Sequence, residues 1–295
     1  MNYRAFVMST LLLSLLATNS LAKESSIITA PTIWKHHRLG RVHPRMAVTS
    51  RFVILNRDNI TVECIDLHTG DEKWRFSSPA RLRWPALHEE DQSYQILCGW
   101  NYVYVTTMDG SLRAIDLETG KEKWVYKPKA PITTPPVATT NTLFVQSADS
   151  RIHAVDGRTG KKMWTAKSKR RPITPLFASG NLLLFGTSPA FIYAIDGDTG
   201  RKRWKRRLST GTPRYAPVVA PGRFAWATSS GFLNVIERSN GKTVAAVKMK
   251  APPLPGATQV GTKILLSTTT GYLLSVDLME GKERWRRRVH KKRRR

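Results

Sequence analysis

The sequence predicts an all-β protein, a β-propeller of four-stranded antiparallel blades, and three observations predict this fold. An eleven-residue phrase returns at nearly constant intervals, each interval contains four short strand-like runs, and the mature chain has no stretch of sustained helical periodicity. A repeat of about 40 residues that cannot bury its apolar face alone is typical of propellers.

The recurring phrase follows the pattern A-x-D-x-x-T-G-x-x-x-W. Its copies are Cys64–Trp74, Ala114–Trp124, Ala154–Trp164, Ala194–Trp204 and Ser275–Trp285, with a worn copy at Val235–Ala245. Aligned on the glycine, successive copies are 50, 40, 40, 41 and 40 residues apart. Six copies predict six blades, numbered 1 to 6 along the chain, each with strands a to d.

The interval that ends at Trp164 shows how the strands of one blade are placed. Its strand-like runs are Thr133–Ala138, Leu143–Ser147, Arg151–Val155 and Lys161–Ala166, and turn residues separate them. Two segments fall outside this scheme. Leu87–Gln95 is an extra loop in blade 2, and Thr32–Lys35 matches a strand d without the three strands before it. A propeller of seven blades is therefore the alternative.

We interpret the phrase as the turn between strands c and d. The Asp side chain accepts hydrogen bonds from amides further along, glycine adopts positive φ, and Trp packs between blades. The competing interpretations are a calcium loop, which needs more carboxylates, and a phosphate loop, which needs a following helix. The predicted structural residues are Asp66, Gly70, Trp74, Asp116, Gly120, Trp124, Asp156, Gly160, Trp164, Asp196, Gly200, Trp204, Gly241, Asp277, Gly281 and Trp285.

This pattern resembles the pyrroloquinoline-quinone-type β-propeller repeat, and the resemblance covers nearly all of the chain after residue 30. The family has a branch of quinoprotein dehydrogenases. It also has a non-catalytic branch that includes the lipoprotein subunit of the outer-membrane β-barrel assembly machinery, and the resemblance is closest to that branch. The chain departs from that lipoprotein because its first cysteine is Cys64, so no lipid-attachment cysteine follows the N-terminal segment.

The N-terminal segment has the pattern of a secretory signal. Arg4 gives a charged start, Leu11–Ala17 is a short apolar core, and Ser20–Ala22 is a small-x-small cleavage site. We therefore predict a signal peptide at 1–22, the propeller at 23–288 and a basic tail at 289–295. The predicted location is periplasmic or secreted, with no transmembrane segment after signal removal.

Cys64 and Cys98 are the two cysteines, and both fall on predicted strands of neighbouring blades. In an oxidising compartment they can pair as a disulfide. The alternative is that both are buried as small apolar side chains.

The charge of the chain is strongly biased, with 48 Lys and Arg against 21 Asp and Glu and a net charge of +27. The bias lies in the windows that follow the Trp of each strand d. These windows, 34–45, 75–84, 125–134, 165–174, 205–216, 246–255 and 286–295, contain 27 basic residues and no acidic residue. Because the connections from strand d to the next strand a emerge on one side of a propeller, the sequence predicts one cationic face.

A cationic face attracts anionic partners and steers them during association. The expected partner is an envelope protein or an anionic polymer or surface such as lipopolysaccharide or nucleic acid, and the chain is expected to be a monomer. The candidate contact residues are Lys167, Lys169, Arg170, Arg171, Lys205, Arg206, Arg207, Arg214, Arg286, Arg287 and Arg288.

The sequence contains no recognisable catalytic constellation, so we predict no enzyme activity, no catalytic or metal-binding residue and no cofactor. The dehydrogenase branch that the resemblance names uses a quinone, a calcium ion and an Asp base. The predicted inner strands instead offer Arg45, Arg83, Thr133, Thr134, Arg214 and Tyr215, none of which is acidic. The leading interpretation is an exported, non-catalytic binding scaffold of the cell envelope, and the alternative is a quinone-dependent oxidoreductase.

Overall fold

The computed structural model describes residues 42–57, 60–82, 97–215, 217–254 and 257–289. These residues form six four-stranded antiparallel sheets, and no helix occurs among them. The predicted all-β propeller of six blades is confirmed. The segments 1–22, 32–35, 87–95 and 290–295, on which several sequence predictions depend, lie outside the described residues.

The chain divides into two compact units. In unit 1, blade 1 consists of β1 (Val42–Val48), β2 (Phe52–Arg57), β3 (Thr61–Asp66) and β4 (Glu72–Ser77), and blade 2 of β5 (Leu97–Gly99), β6 (Tyr102–Thr106), β7 (Leu112–Asp116) and β8 (Glu122–Tyr126).

Unit 2 contains blades 3 to 6. Blade 3 consists of β9 (Val137–Ala138), β10 (Thr142–Gln146), β11 (Arg151–Asp156) and β12 (Lys162–Lys167), and blade 4 of β13 (Phe177–Ser179), β14 (Leu182–Thr187), β15 (Phe191–Asp196) and β16 (Lys202–Arg207). Blade 5 consists of β17 (Val218–Ala220), β18 (Arg223–Ala227), β19 (Phe232–Glu237) and β20 (Thr243–Lys248), and blade 6 of β21 (Thr258–Val260), β22 (Lys263–Ser267), β23 (Tyr272–Asp277) and β24 (Lys282–Arg288).

Strand a is shorter than the sequence predicted. In blade 3 it begins at Val137 rather than Thr133, because the preceding Pro135 and Pro136 have no amide hydrogen to donate to a sheet. A single bridge between Ile132 and Ser147 replaces the missing pairs. Corresponding isolated bridges in blades 4, 5 and 6 start at prolines. In blades 2 to 6 the inner edge is therefore a short strand plus one bridge, whereas β1 of blade 1 has seven residues.

Strands b and c form the interior because both of their faces are covered. In β7 every residue is buried, whereas the outer strand β8 alternates between exposed and half-buried positions. Four apolar clusters join neighbouring blades within a unit, one between blades 1 and 2 and the others between 3 and 4, 4 and 5, and 5 and 6. The blades are thus stabilised mainly by their contacts with each other, as expected of repeat proteins.

The tryptophan of strand d reaches onto the next blade of its unit. Trp204 in blade 4 is buried, stacks on Phe224 of blade 5 with ring centroids 5.9 Å apart, and donates its indole N–H to the carbonyl of Arg238 at 3.1 Å. Trp74 and Trp164 make equivalent bonds to the carbonyls of Leu117 and Gly197. The apolar ring is therefore buried while its one polar group is paired.

Three copies depart from this arrangement. Trp124 is half-buried, its ring lies 5.8 Å from the Tyr104 ring of its own blade, and its indole N–H has no hydrogen-bond partner among the described residues. Trp285 is 45% exposed, so the prediction that every repeat tryptophan is buried between blades is wrong at this position. The physical reason is that blade 6 is the last blade of unit 2, so no later blade of that unit follows β24 to cover the ring. In blade 5 Ala245 stands where the other copies have tryptophan, and it contacts the turn of blade 6 with its methyl group.

We expect Trp204→Ala to lower the free energy of unfolding by about 3–5 kcal/mol, because it removes a buried ring and leaves a cavity between two blades. Trp285→Ala is the matched control, and its half-exposed ring should cost about 1 kcal/mol or less. Chemical denaturation of both variants measures the difference. Equal losses would contradict the role assigned to contact between blades.

Candidate anion-binding surface

Each blade has two ends of different chemistry. The a–b and c–d turns lie at one end, here called the turn end, because antiparallel strands reverse there. The b–c loops and the d-to-a connections lie at the opposite end, here called the loop end. The pairing of Asp156 with Thr142 and of Arg151 with Lys167 places these residues at the turn end and the loop end of blade 3.

At the turn end, the Asp of the repeat organises the c–d turn. In blade 3 the Asp156 carboxylate accepts hydrogen bonds from the backbone N–H groups of Arg158 and Thr159 and from the Thr159 hydroxyl, at 2.8–3.0 Å. Asp116 makes the same contacts with its own turn. In all six blades a register shift between strands c and d accompanies the turn, which is a β-bulge.

The glycine of the turn has two functions, and only one was predicted. Its φ is positive, at +74° in Gly241, as a tight turn requires. In addition, it lies against the tryptophan of the preceding blade. A Cβ atom on Gly241 would lie 2.5 Å from Trp204, and one on Gly120 or Gly200 would overlap Trp74 or Trp164. The repeat spacing could have predicted this contact, because each of these tryptophans precedes the glycine that it contacts by about one repeat.

Asp196 and Asp277 at the turn end are each bonded to turn groups and to an arginine. The Asp196 carboxylate accepts hydrogen bonds from Thr199 and from Arg203, and these contacts lower the pKa of Asp196 to about 2. Asp277 is bonded to the backbone of Glu280 and Met279 and to Arg284, and its pKa is also lowered. These two carboxylates therefore stay ionised, and each is paired with a neighbouring arginine.

The candidate cations lie at the loop end, but not only in the connections. Lys167, Lys205, Arg206 and Arg207 are in the last residues of strands β12 and β16, and Arg287 and Arg288 end β24. Lys169, Arg170 and Arg171 lie between β12 and β13, and Arg214 lies between β16 and β17. None of these ten side chains forms an ion pair with a carboxylate of the described residues.

Arg286 differs from the other candidate cations. Its guanidinium makes two hydrogen bonds to the Glu283 carboxylate and one to the Lys248 carbonyl, and its side chain is only 15% exposed. This arginine joins blade 6 to blade 5 of unit 2. We therefore remove it from the candidate surface. The sequence could not separate it from Arg287, because the separation depends on which face of β24 each residue occupies.

The loop end also contains acidic residues, in the b–c loops. Asp109 of blade 2 is ion-paired with Arg113, and Asp149 of blade 3 is ion-paired with Arg151. Both carboxylates also accept a short hydrogen bond from the hydroxyl at the end of strand b. Their negative charge is thus already balanced by neighbouring groups, and the excess of positive charge at the loop end is unchanged.

Ser147, Asp149 and His153 are close together in blade 3 and suggest a hydrolytic triad. Ser147 Oγ lies 2.8 Å from His153 Nε2, but Asp149 bonds to the serine and not to the histidine, so it cannot orient a base. Burial lowers the pKa of His153. Blade 2 has the same contact between a hydroxyl and a carboxylate, in which Thr107 donates to Asp109, but it has no histidine at the corresponding position. We therefore interpret these side chains as part of the structure of a b–c loop and not as a hydrolytic triad.

Of the predicted inner-strand residues, Arg83 and the side chain of Arg45 lie outside the described part of the chain, and Thr133, Thr134 and Arg214 do not form a ligand set. Thr133 and Thr134 use their hydroxyls on the backbone of Gln146, and Arg214 extends a largely exposed side chain. Within the described ranges, no group of three or more His, Cys, Asp or Glu side chains could hold a metal ion. No helix among the described residues is long and apolar enough to cross a membrane.

Cys64 and Cys98 are free thiols in the apolar cluster between blades 1 and 2. Cys64 is buried in β3 and Cys98 is half-buried in β5. Burial raises the pKa of both thiols to about 12, which keeps them protonated and unreactive at neutral pH. Of the two alternatives from the sequence, the structure shows the buried apolar one.

A surface cleft of about 570 Å³ lies at the turn end of blades 4, 5 and 6. Its three arginines are bonded to protein acceptors: Arg203 to Asp196, Arg223 to the carbonyl of Leu278, and Arg238 to the carbonyl of Ser179. Arg203 is thus bonded within blade 4, whereas Arg223 and Arg238 join neighbouring blades. Because all three already have protein acceptors, the cleft is a weaker candidate for anion binding than the loop end.

Comparison with known proteins agrees with the fold. The family model described as outer membrane protein assembly factor BamB matches residues 58–287. The chain is similar in structure to BamB from Moraxella catarrhalis, with a TM-score of 0.65 and 20% identity over 84% of this chain and 76% of that chain. No curated protein sequence matches the chain.

Two dehydrogenases have the same architecture. A europium-containing methanol dehydrogenase matches with a TM-score of 0.60 and 14% identity over 85% of this chain and 72% of that chain. A quinohemoprotein alcohol dehydrogenase from Comamonas testosteroni matches with a TM-score of 0.58 and 16% identity over 83% and 60%. At these identities the likeness concerns the fold alone.

We expect Gly241→Ala to lower the free energy of unfolding by about 2–4 kcal/mol, since the new methyl group combines positive-φ strain with overlap onto Trp204. Gly222→Ala is the control, because Gly222 has a φ of +67° but open space around its Cβ position. It should cost about 1 kcal/mol. Denaturation curves give both values, and a Gly241 variant no worse than the Gly222 variant would contradict the packing role.

Proposed function

Because the chain belongs to the family of the outer membrane protein assembly factor BamB, we propose that it is a non-catalytic scaffold of the cell envelope that contacts an anionic partner or surface. Membership of this family supports an envelope location, and the signal peptide predicted at 1–22 supports export to the periplasm. The partner is an envelope protein with an acidic surface or an anionic polymer. The chain acts by holding this partner, not by transforming it.

The observation that carries this proposal is the separation of charge along the blades of unit 2. At the turn end, carboxylates such as Asp196 and Asp277 are bonded to arginines. At the loop end, Lys167, Lys169 and Arg206 and their neighbours have no carboxylate partner among the described residues. Cations also lie at the turn end, but there they share the surface with these carboxylates, so the loop end has the larger net positive charge. Such a field attracts anions and accelerates their association.

The alternative, a quinone-dependent oxidoreductase, has the support of the structural likeness to dehydrogenases. The residues present do not fit the cofactors of that branch. Calcium in proteins takes several oxygen ligands, including carboxylates. In the part of the chain that the structure describes, no group of three or more His, Cys, Asp or Glu side chains is arranged so that it could hold a metal ion. The hydroxyls of Thr133 and Thr134 are engaged by the backbone. We therefore favour the scaffold.

We expect binding to heparin, a polyanion probe, to weaken about tenfold or more between about 50 and 200 mM NaCl, because bound cations release counterions. Replacing Lys167, Lys169, Arg206 and Arg207 by Gln should weaken binding strongly. Replacing Arg158, Lys161, Arg201 and Lys202 by Gln removes the same number of charges from the turn end of the same blades and should change it little. Heparin chromatography and titration calorimetry measure both. A flat salt dependence would overturn the proposal.

We expect no dye reduction when pyrroloquinoline quinone, calcium and a series of alcohols are added to the purified protein. A quinoprotein dehydrogenase assayed in parallel is the positive control. The readouts are reduction of an artificial electron acceptor and the absorption spectrum of the added quinone. Turnover above the rate of free quinone would replace the scaffold proposal with the oxidoreductase.

A further inference from the structure

Two cations contact one phenylalanine at the loop end of unit 2. The Nζ atom of Lys205 lies 4.0 Å from the centroid of the Phe191 ring, and the Cζ atom of Arg170 lies 5.3 Å from the same centroid. Lys205 also lies 5.5 Å from the ring of Tyr193. Phe191 begins β15 and Lys205 is in β16, whereas Arg170 comes from the connection that follows blade 3. Blades 3 and 4 therefore both contribute to this cluster.

The two charges are close enough to repel each other. Their distances to a shared ring keep them less than about 10 Å apart, which is near the Debye length at physiological ionic strength. Neither forms an ion pair with a described carboxylate, and the nearest loop-end acid of unit 2, Asp149, is paired with Arg151. In water the repulsion at this separation is about 0.5 kcal/mol before screening by salt. A cation–π contact at an exposed site contributes about 0.5–1 kcal/mol, so the ring can hold both cations near each other.

The aromatic platform is held rigidly. Tyr193 is the direct cross-strand partner of Lys205, and its ring is stacked on Phe185 with centroids 5.0 Å apart and planes at 2°. Both Tyr193 and Phe185 are buried in the cluster between blades 3 and 4. Phe191 packs against that cluster and is only half-buried. Because the rings are fixed before any ligand arrives, Lys205 is presented with its alkyl stem covered and its ammonium group at the surface.

We propose that Arg170 and Lys205, positioned on Phe191, form a binding site for a phosphate group, carried by the headgroup of an anionic phospholipid or present as free phosphate. The guanidinium of Arg170 supplies a planar pair of donors for two phosphate oxygens, and Lys205 supplies a compact charge for a third. The surrounding Lys167, Lys169 and Arg171 add attraction without a fixed geometry. This proposal rests on the proposed function and makes it more specific, because it identifies one ligand group and the two residues that bind it.

The test compares three double variants of the full chain that each remove one Lys and one Arg. Arg170→Gln with Lys205→Gln removes the site. Lys169→Gln with Arg214→Gln removes two other exposed cations of the loop end, and Lys161→Gln with Arg201→Gln removes two from the turn end of the same blades. Thermal unfolding monitored by circular dichroism establishes that all three are folded.

The first probe is a vesicle of phosphatidylcholine with added phosphatidylglycerol, compared with phosphatidylcholine alone. We expect the Arg170 and Lys205 variant to lose about tenfold or more in vesicle affinity, because charge-assisted bonds to the phosphate are lost. The Lys169 and Arg214 variant should lose only a few-fold through weaker general attraction, and the Lys161 and Arg201 variant should match the unchanged protein.

The second probe is inorganic phosphate, followed by titration calorimetry, and it identifies the source of the group. Saturable phosphate binding that the Arg170 and Lys205 variant lacks supports a site for free phosphate. Vesicle binding with weak phosphate binding supports a headgroup site. Equal losses in the two loop-end variants, or no binding of either probe, would overturn the inference. Heparin binding measured beside them decides the proposed function separately, since it requires only the general charge.

Discussion

The contact between a tryptophan and the glycine turn of the next blade is the interaction on which this architecture depends. A four-stranded sheet of about forty residues has two apolar faces and too little surface of its own to bury them. Trp204 covers part of one such face and binds the Arg238 carbonyl, while Gly241 gives it space by having no side chain. Such a turn therefore ends one blade and also contacts the tryptophan of the preceding blade.

That arrangement also explains how charge is distributed along a blade. The turn end needs Asp carboxylates to bind turn amides, and those carboxylates attract arginines such as Arg203 and Arg284. At the loop end, blades 2 and 3 use Asp109 and Asp149 in this way, whereas the b–c loops of blades 4, 5 and 6 contain no acidic residue. Apart from Arg286, the candidate cations there form no ion pair with a described carboxylate, so they are the groups that we propose contact an external partner. The proposed binding surface and the structural surface are thus at opposite ends of the same strands.

The family shares its fold between binding scaffolds and enzymes, and the difference lies in side chains at particular positions. In this chain the hydroxyls of Thr133 and Thr134 are bonded to the backbone, and the histidine of blade 3 belongs to a loop. The unpaired chemistry is cationic and lies at the surface, with Lys205 and Arg170 on a fixed aromatic ring. Cations at the surface in this arrangement favour a binding function over a catalytic one.

The sequence by itself determined the number of blades, the four strands of each and the turn that joins strands c and d, because these features repeat at a fixed interval and follow local rules of turn chemistry. Tertiary structure decided what depends on neighbours in space. Strand alternation decided that Arg286 binds Glu283 while Arg287 faces solvent, and the place of blade 6 at the end of its unit left Trp285 half exposed. The grouping of Arg170, Phe191 and Lys205 joins residues from two blades, and no local pattern encodes such a contact.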